Sequence, residues 1–362
     1  MNLLLYLSMA AVGYIGTLHE LLYGRTNKGL LFATVSLFIL TVCSRIGYCT
    51  IGDDLFTYID YFQQPGEIYF EPGYLFVTDI INVLLGSAPE VLVVTVSMWI
   101  VCFFALACLI CTWFDDQYES YNSEIFCTCY LNSMLFFMVL YWGCFFAAET
   151  LRVGMAISLL YCSCALMINK KVLYAILLSL VAVLFHYSSA FFTLCLILMF
   201  FLKNISKTQY LCWFFILFAV DVVVGLLHSV SLPGIDQLFE MMSNIDMLVH
   251  YTSYEDRDRL VYMNTQYFTY HILGFLLIFG NLDDERYNKV VSIYFIGLTL
   301  GTVFQSIEVG IRIQWLFLSM IVFAFYYYLR DEKYSFIVKN TFIGLYAIVQ
   351  QIMLLRVLGW HV

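Results

Sequence analysis

The sequence predicts an all-α membrane protein, a bundle of about 11–12 transmembrane helices, and two observations lead to that prediction. Apolar residue types make up 62% of the 362 residues and charged types only 12%, and a soluble domain could not bury so many apolar side chains. The apolar residues also fall into runs of about 20, the helix length that crosses a hydrocarbon layer of about 30 Å. The chain is therefore expected to form a single integral membrane domain over residues 1–362 without a nucleic-acid-binding surface.

The predicted helices follow one another along the chain and are bounded by charged residues, Pro or Gly. Two longer loops, at about 48–90 and 230–264, carry many acids and tyrosines. The apolar runs lie at about 3–22, 29–47, 91–113, 125–144, 153–169, 210–229, 265–281, 290–306, 313–329 and 340–357.

The apolar stretch between Lys171 and Lys203 is too long for one ordinary span. Since it carries Lys at both ends, it is predicted to return to the side it left, as a helical hairpin. His186 would lie at the tip. Each arm of about 15 residues would be about 23 Å long, which leaves the tip recessed below the far surface of the membrane.

The basic residues set the orientation. All the lysines, with Arg25, Arg286 and Arg330, fall on one side if the N-terminus starts outside and residues 74–86 form a re-entrant or interfacial helix that does not cross. The positive-inside rule makes that side the cytoplasm. Both long loops are then extracytoplasmic. The outer side holds no Lys, and its basic residues are Arg45, Arg152, Arg257, Arg259, Arg312 and Arg356.

An outer face with Arg and no Lys indicates an anionic ligand. A guanidinium keeps its charge in poorly hydrated places and binds phosphate oxygens through two parallel hydrogen bonds. Arg45, Arg152 and Arg312 each stand where a predicted span meets the outer interface. Alternatively, each Arg reaches the lipid headgroups, or it neutralises an acid three or four residues away, such as Glu149 or Glu308.

Candidate proton acceptors lie on the same side. His186 is the only polar group of any size in its hairpin, and desolvation favours its neutral form. A histidine held by a backbone carbonyl is the alternative interpretation. Asp53 and Glu71 could act as general bases, although loop acids are usually just solvated. Pro72 and Gly73 are interpreted as a turn that starts the next helix.

The 12 cysteines are scattered through apolar runs and are interpreted as small buried hydrophobes. Cys127 and Cys129, like Cys162 and Cys164, are too closely spaced for the usual zinc patterns and lack partner ligands. No metal and no other cofactor is expected.

Several short motifs occur in a fixed order from about Arg45 to the last spans. They are Ile51-Gly52-Asp53-Asp54 with Tyr58, Phe70-Glu71-Pro72-Gly73-Tyr74, Leu151-Arg152 followed by Ala156, Phe185-His186-Tyr187-Ser188, and Arg312. In this order the motifs resemble the EpsG family of Wzy-type polymerases, which make bacterial surface polysaccharides such as O-antigen and exopolysaccharide. One departure is Val153, where a Gln is expected after the arginine.

The resemblance implies a glycosyltransferase of the bacterial inner membrane, similar to the transmembrane (GT-C-like) class and working without nucleotide sugars. Its donor and acceptor would be undecaprenyl-pyrophosphate-linked oligosaccharides, and a chain-length regulator and a flippase would be partners. The growing glycan would leave its carrier and join the non-reducing-end sugar of an incoming repeat unit on the periplasmic side.

That reaction needs fixed cations at the leaving pyrophosphate and a base at the acceptor hydroxyl. The expected pyrophosphate contacts are Arg152, Arg312 and then Arg45; the candidate bases are His186, Asp53 and Glu71; and the expected sugar contacts are Asp54, Tyr58, Tyr74 and Glu149.

Three other functions stay open at this point. A ligase that moves finished glycan to another acceptor would present the same outer face. A transporter or flippase would carry acids near the bilayer midplane, for which Asp79 and Asp221 are candidates, but the sequence has no repeated half. The third is a non-catalytic assembly partner.

Overall fold

The computed structural model describes residues 1–51, 53–64, 70–116, 130–201, 204–227, 265–304, 308–331 and 333–358. The predicted loop 230–264 and the pair Cys127 and Cys129 lie outside these residues. Within the described ranges the chain is helical and contains no β-strand. The prediction of an all-α membrane bundle is therefore confirmed.

The described helices are α1 Leu3–Tyr23, α2 Lys28–Cys43, α3 Asp54–Gln63, α4 Pro72–Leu85, α5 Pro89–Asp116, α6 Leu131–Met138, α7 Cys144–Ala148, α8 Leu151–Ile168, α9 Val172–Val183, α10 Ser189–Phe201, α11 Lys207–Leu227, α12 Thr265–Leu277, α13 Glu285–Val303, α14 Glu308–Leu318, α15 Ile321–Arg330 and α16 Phe336–Leu358.

Seven helical segments in the described ranges are long and apolar enough to cross a membrane. Four apolar helices are shorter: Pro72–Leu85, Val172–Val183, Ser189–Met199 and Phe268–Leu277. A count of about 11–12 crossings stays a prediction, since it depends on the shorter helices. The seven long segments are Leu3–Tyr23, Lys28–Tyr48, Pro89–Trp113, Leu131–Ala148, Leu151–Ile168, Ile313–Arg330 and Phe336–Leu354.

The helices belong to two compact units, Met1–Phe201 with Phe325–Val362, and Leu202–Ala324. A single membrane domain over residues 1–362 stays a prediction.

The centre of the first unit is the segment Leu131–Ala148, in which every residue is buried. It consists of α6, a π-helical turn over Val139–Gly143, and α7. Helices α1, α2, α5, α8 and α16 pack around it. A helix enclosed on all sides needs apolar residues all round, which is why this segment shows no polar face.

A buried acid fixes the start of that central segment. Glu20, near the end of α1, is 1% exposed and accepts hydrogen bonds from the backbone N–H groups of Asn132 (2.7 Å) and Ser133 (2.8 Å). The hydroxyl groups of Ser133 and Thr26 donate to it as well. A carboxylate is favourable here because the first N–H groups of a helix lack intrahelical acceptors.

The predicted hairpin is present, with shorter arms than expected. Helix α9 has 12 residues and α10 has 13, and they pack against each other and against α8. At 1.5 Å per residue the arms are about 18 and 20 Å long. His186 lies in the turn between them.

Helix α4 meets the hairpin through a close backbone contact. The N–H group of Gly73 donates to the carbonyl of Leu184 at 2.8 Å. A Cβ atom on residue 73 would lie 2.8 Å from the same carbonyl oxygen. The interpretation of Gly73 as a turn residue was therefore incomplete, because only glycine allows this contact.

In the second unit, α11, α12 and α13 are joined by polar side chains. Nε2 of His271 lies 2.8 Å from Oδ2 of Asp221, and the hydroxyl of Thr302 donates to the same oxygen at 3.0 Å. Asp221, a midplane acid under the transporter hypothesis, thus has two structural partners.

Candidate active site

Glu71, the N-cap residue of α4, joins two residues that the sequence singled out. Its Oε2 atom accepts a hydrogen bond from Nη1 of Arg152, and its Oε1 atom lies 3.1 Å from Nδ1 of His186. The Glu71 side chain is 1% exposed, that of His186 4% and that of Arg152 17%. One buried carboxylate therefore holds the first turn of α8 and the tip of the hairpin together.

Aromatic side chains fix the plane of the Arg152 guanidinium. Nε donates to the hydroxyl of Tyr58 at 3.2 Å, and the guanidinium carbon lies 4.6 Å from the ring centre of Phe70. Tyr74 packs on both rings, with centroid distances of 5.7 Å to Tyr58 and 5.4 Å to Phe70. Among the described residues Nη2 has no hydrogen-bond partner, so one nitrogen remains for a ligand.

The contacts of Glu71 control its protonation. Burial alone would raise its pKa, but the hydrogen bond with His186, the charge of Arg152 and the charge that His186 carries when protonated outweigh burial and lower the pKa to about 2. Glu71 is thus a carboxylate at neutral pH and accepts protons poorly. Because a carboxylate only accepts hydrogen bonds, Nδ1 of His186 is the donor, and in the neutral ring the lone pair lies on Nε2.

Arg45 forms a second cluster at the ends of α2 and α7. Its Nη2 atom donates to Asp53 at 2.9 Å and lies 3.5 Å from Oε2 of Glu149, and Nη1 donates to the carbonyl of Tyr48. Burial raises the pKa of Glu149, and the positive charge of Arg45 opposes that increase. The charge of Arg45 is balanced by two acids, whereas the acid that contacts Arg152 is Glu71.

The sequence profile of the EpsG family matches residues 30–360. The chain belongs to the EpsG family. EpsG is a family of Wzy-like polysaccharide polymerases, so this EpsG protein is a multi-pass membrane protein of polysaccharide biosynthesis, and its family implies glycosyl transfer. Neither a curated protein nor a solved structure matches the chain.

The predicted site residues of this EpsG protein come together in part. Asp54 begins α3 and is partly exposed. Arg312 lies in α14 of the second unit, and its side chain is outside the described residues. The interpretation that Glu149 neutralises Arg152 is wrong, since their partners in the described structure are Arg45 and Glu71. The first cluster contains Tyr58, Glu71, Tyr74, Arg152 and His186; the second contains Arg45, Asp53 and Glu149.

Sequence reasoning missed the role of Phe70 beneath Arg152 and the contact between Asp221 and His271. Phe70 belongs to the motif that runs from Phe70 to Tyr74, but the motif does not indicate which cation its ring contacts. Asp221 and His271 each stand alone in an apolar helix, a pattern that indicates a paired or functional group. In the described part of the EpsG protein no three His, Cys, Asp or Glu side chains are grouped as metal ligands.

Proposed function

We propose that this protein polymerises undecaprenyl-pyrophosphate-linked oligosaccharide repeat units by glycosyl transfer on the periplasmic side of the bacterial inner membrane. The observation that supports the proposal best is the buried link from Arg152 through Glu71 to His186. This link would hold the guanidinium that stabilises the leaving group and the imidazole that takes the acceptor's proton in one fixed arrangement.

Arg152 is the proposed contact for the leaving pyrophosphate. As the bond between the sugar carbon and the phosphate oxygen breaks, the electron pair goes to the pyrophosphate, and a fixed donor stabilises the developing charge. The Nε and Nη1 atoms of Arg152 are held by Tyr58 and Glu71, so Nη2 would face the substrate. Arg312 and Arg45 stay proposed as further pyrophosphate contacts.

His186 is the proposed base. The acceptor hydroxyl attacks the sugar carbon, its proton passes to Nε2, and the new glycosidic bond forms. Glu71 then stabilises the imidazolium through Nδ1, as an orienting carboxylate does in other His-containing sites. In this proposal Glu71 positions its neighbours and does not itself take the proton, because its pKa of about 2 is too low.

Sugar binding is proposed for Asp54, Tyr58, Tyr74 and Glu149. Asp53 stays proposed as a further candidate base. The lipid tail of each substrate would stay in the bilayer, and a chain-length regulator and a flippase are proposed partners.

The test is polymerisation by the purified protein, reconstituted in vesicles with a lipid-linked repeat unit and followed by gel ladder. We expect Arg152→Ala and His186→Ala to slow chain extension at least about 100-fold, the scale for loss of one charge-stabilising donor or one general base. Arg25→Ala is the matched control, since Arg25 is exposed and predicted to be cytoplasmic. Normal ladders from both site variants would refute the proposed site.

A further inference from the structure

The first turn of α8 contains backbone donors without acceptors among the described residues. The first hydrogen bond at this helix end runs from the N–H of Gly154 to the carbonyl of Thr150, at 2.9 Å. The N–H groups of Leu151, Arg152 and Val153 precede it and have no acceptor among the described residues. Leu151 is fully buried and Val153 is 4% exposed. Buried N–H groups are nearly always hydrogen-bonded in native proteins, so those of Leu151 and Val153 indicate a missing acceptor.

The side chain at the same position gives a second, independent observation. Thr150 is the N-cap residue of α8 and makes no capping hydrogen bond. It is 3% exposed, and its hydroxyl has no partner in the described structure. A threonine at the N-cap normally accepts from an N–H of the first turn. The backbone N–H groups at the start of α8 and the hydroxyl of Thr150 are therefore both candidate contacts for a bound ligand.

The local charges favour an anion at this helix end. Glu71 balances most of the charge of Arg152, so the guanidinium alone attracts an anion weakly. The helix dipole adds the equivalent of about half a positive charge at the N-terminus. Glu149, directly before Thr150, and Asp53 would oppose an anion, but Arg45 lies against both.

We propose that the N-terminus of α8 is a phosphate-binding site, in which the N–H groups of Leu151, Arg152 and Val153 and the hydroxyl of Thr150 supplement Nη2 of Arg152. This inference rests on the proposed function, because the phosphate is assigned to the pyrophosphate of a lipid-linked substrate. Helix N-termini bind phosphates elsewhere through the same combination of free N–H groups and dipole.

The site explains how one partly neutralised arginine can hold a pyrophosphate. Two phosphate groups present several oxygens, whereas Arg152 has a single terminal nitrogen to offer. Backbone donors need no counter-charge and do not titrate, so the leaving group would be stabilised equally across the neutral pH range.

Two pairs of variants test the inference in the purified full-length protein. Thr150→Val removes the hydroxyl and keeps the shape, and its matched control is Thr34→Val, a buried threonine bonded to the carbonyl of Leu30 within α2. Leu151→Pro removes one N–H at the first helical position, where proline is tolerated. Leu151→Ala is its control, since it loses the same side chain but keeps the N–H.

The measurement is binding of inorganic pyrophosphate by calorimetry at fixed ionic strength. We expect Thr150→Val to weaken binding about tenfold relative to Thr34→Val, and Leu151→Pro to weaken it about tenfold relative to Leu151→Ala, the loss for one hydrogen bond to a charged group. Equal affinities within each pair would overturn the inference. If Arg152→Ala still abolished polymerisation in that case, the proposed function would stand without it.

The source of the phosphate needs its own comparison. Farnesyl pyrophosphate and short-chain phosphatidylglycerol both carry phosphate on a soluble lipid, and each can compete with bound pyrophosphate. Displacement at lower concentrations of the prenyl pyrophosphate supports a carrier-binding site. Displacement by phosphatidylglycerol at equal or lower concentrations would assign the site to ordinary lipid headgroups and overturn the inference.

Discussion

Arg152 pairs with Glu71, 81 residues away along the chain, and Glu149, the nearest acid before it in sequence, lies against Arg45. The pairing connects the start of α8 with the start of α4, and through His186 with the hairpin. Glu71 therefore connects α4, α8 and the hairpin.

Replacing Glu71 tests that connection. Glu71→Gln keeps the shape but removes the charge, so Arg152 and His186 lose the acceptor that orients them. We expect polymerisation to fall about 10–100-fold, as for other residues that support a site. Asp283→Asn, at an exposed acid, serves as the control. Glu71→Gln combined with His186→Gln should cost less than the sum of the two single effects, and full additivity would argue against a coupled pair.

Acid should destabilise the protein through the same carboxylate. The folded pKa of Glu71, about 2, lies below its ordinary value of 4.5, so its contacts stabilise the fold fully above pH 4.5 and are lost as the pH falls toward 2. Tryptophan fluorescence during thermal unfolding in detergent measures this loss. The Glu71→Gln variant should show a shallower decrease between pH 4.5 and 2, and identical curves would contradict the assignment.

Gly73→Ala should disturb the contact between α4 and the hairpin. The added Cβ would meet the carbonyl oxygen of Leu184 at 2.8 Å, and overpacking of this kind costs about 1–3 kcal/mol. Gly344→Ala in α16 is the control, because no atom of the described residues lies within 4 Å of its added Cβ and alanine favours a helix. Thermal stability and polymerisation should both fall in Gly73→Ala and stay unchanged in Gly344→Ala. If Gly73→Ala left both stability and polymerisation unchanged, the contact between α4 and the hairpin would not be tightly packed.

Glu20 should matter for folding and not for chemistry. Glu20→Ala leaves the N–H groups of Asn132 and Ser133 without their acceptor, at about 1–3 kcal/mol for buried groups. Glu90→Ala, at an exposed acid, should change the free energy of unfolding by less than about 0.5 kcal/mol. Unfolding in denaturant compares the two. Equal stability of both variants would show that the cap is dispensable.

The contact between Asp221 and His271 should be structural. Removing one partner of a buried pair costs about 3–5 kcal/mol, so Asp221→Ala should lower the unfolding temperature strongly. The double variant Asp221→Ala with His271→Ala should lose less stability than the sum of the losses in the two single variants. If the protein took up a lipid-linked sugar, and a stably folded Asp221→Asn variant did not, the transporter hypothesis would be favoured instead.

Most helices of this fold could be predicted from the apolar runs, because a bilayer requires runs of set length. Helix α3 could not, since it lies within the predicted loop at about 48–90. The hairpin was predicted from Lys171 and Lys203 and the apolar stretch between them. Its arms came out shorter because residues 184–188 form the turn. The position of a helix end depends on contacts such as that of Gly73 with Leu184, which the sequence does not show.

The residues of the candidate site could be singled out from the sequence, but their pairing could not. Arg152, Glu71 and His186 stand in the motifs that carry the resemblance to the family, whereas Glu71 and His186 are 115 residues apart. Local spacing suggested Glu149 as the partner of Arg152, but in the folded protein the partner is Glu71, whose side chain is more deeply buried. The open N-terminus of α8 could not be found from sequence either, since Thr150 looks like an ordinary cap.

The short arms of the hairpin bear on where this protein can work. Arms of about 18 and 20 Å end roughly 10 Å short of a hydrocarbon layer of about 30 Å. In the predicted orientation, the acceptor sugar would descend into a hydrated depression below the headgroups, and the bilayer around it would thin to match. Under the proposed function, acyl-chain length would then control polymerisation, because a thicker membrane would place the tip farther from the water-soluble groups of its substrates.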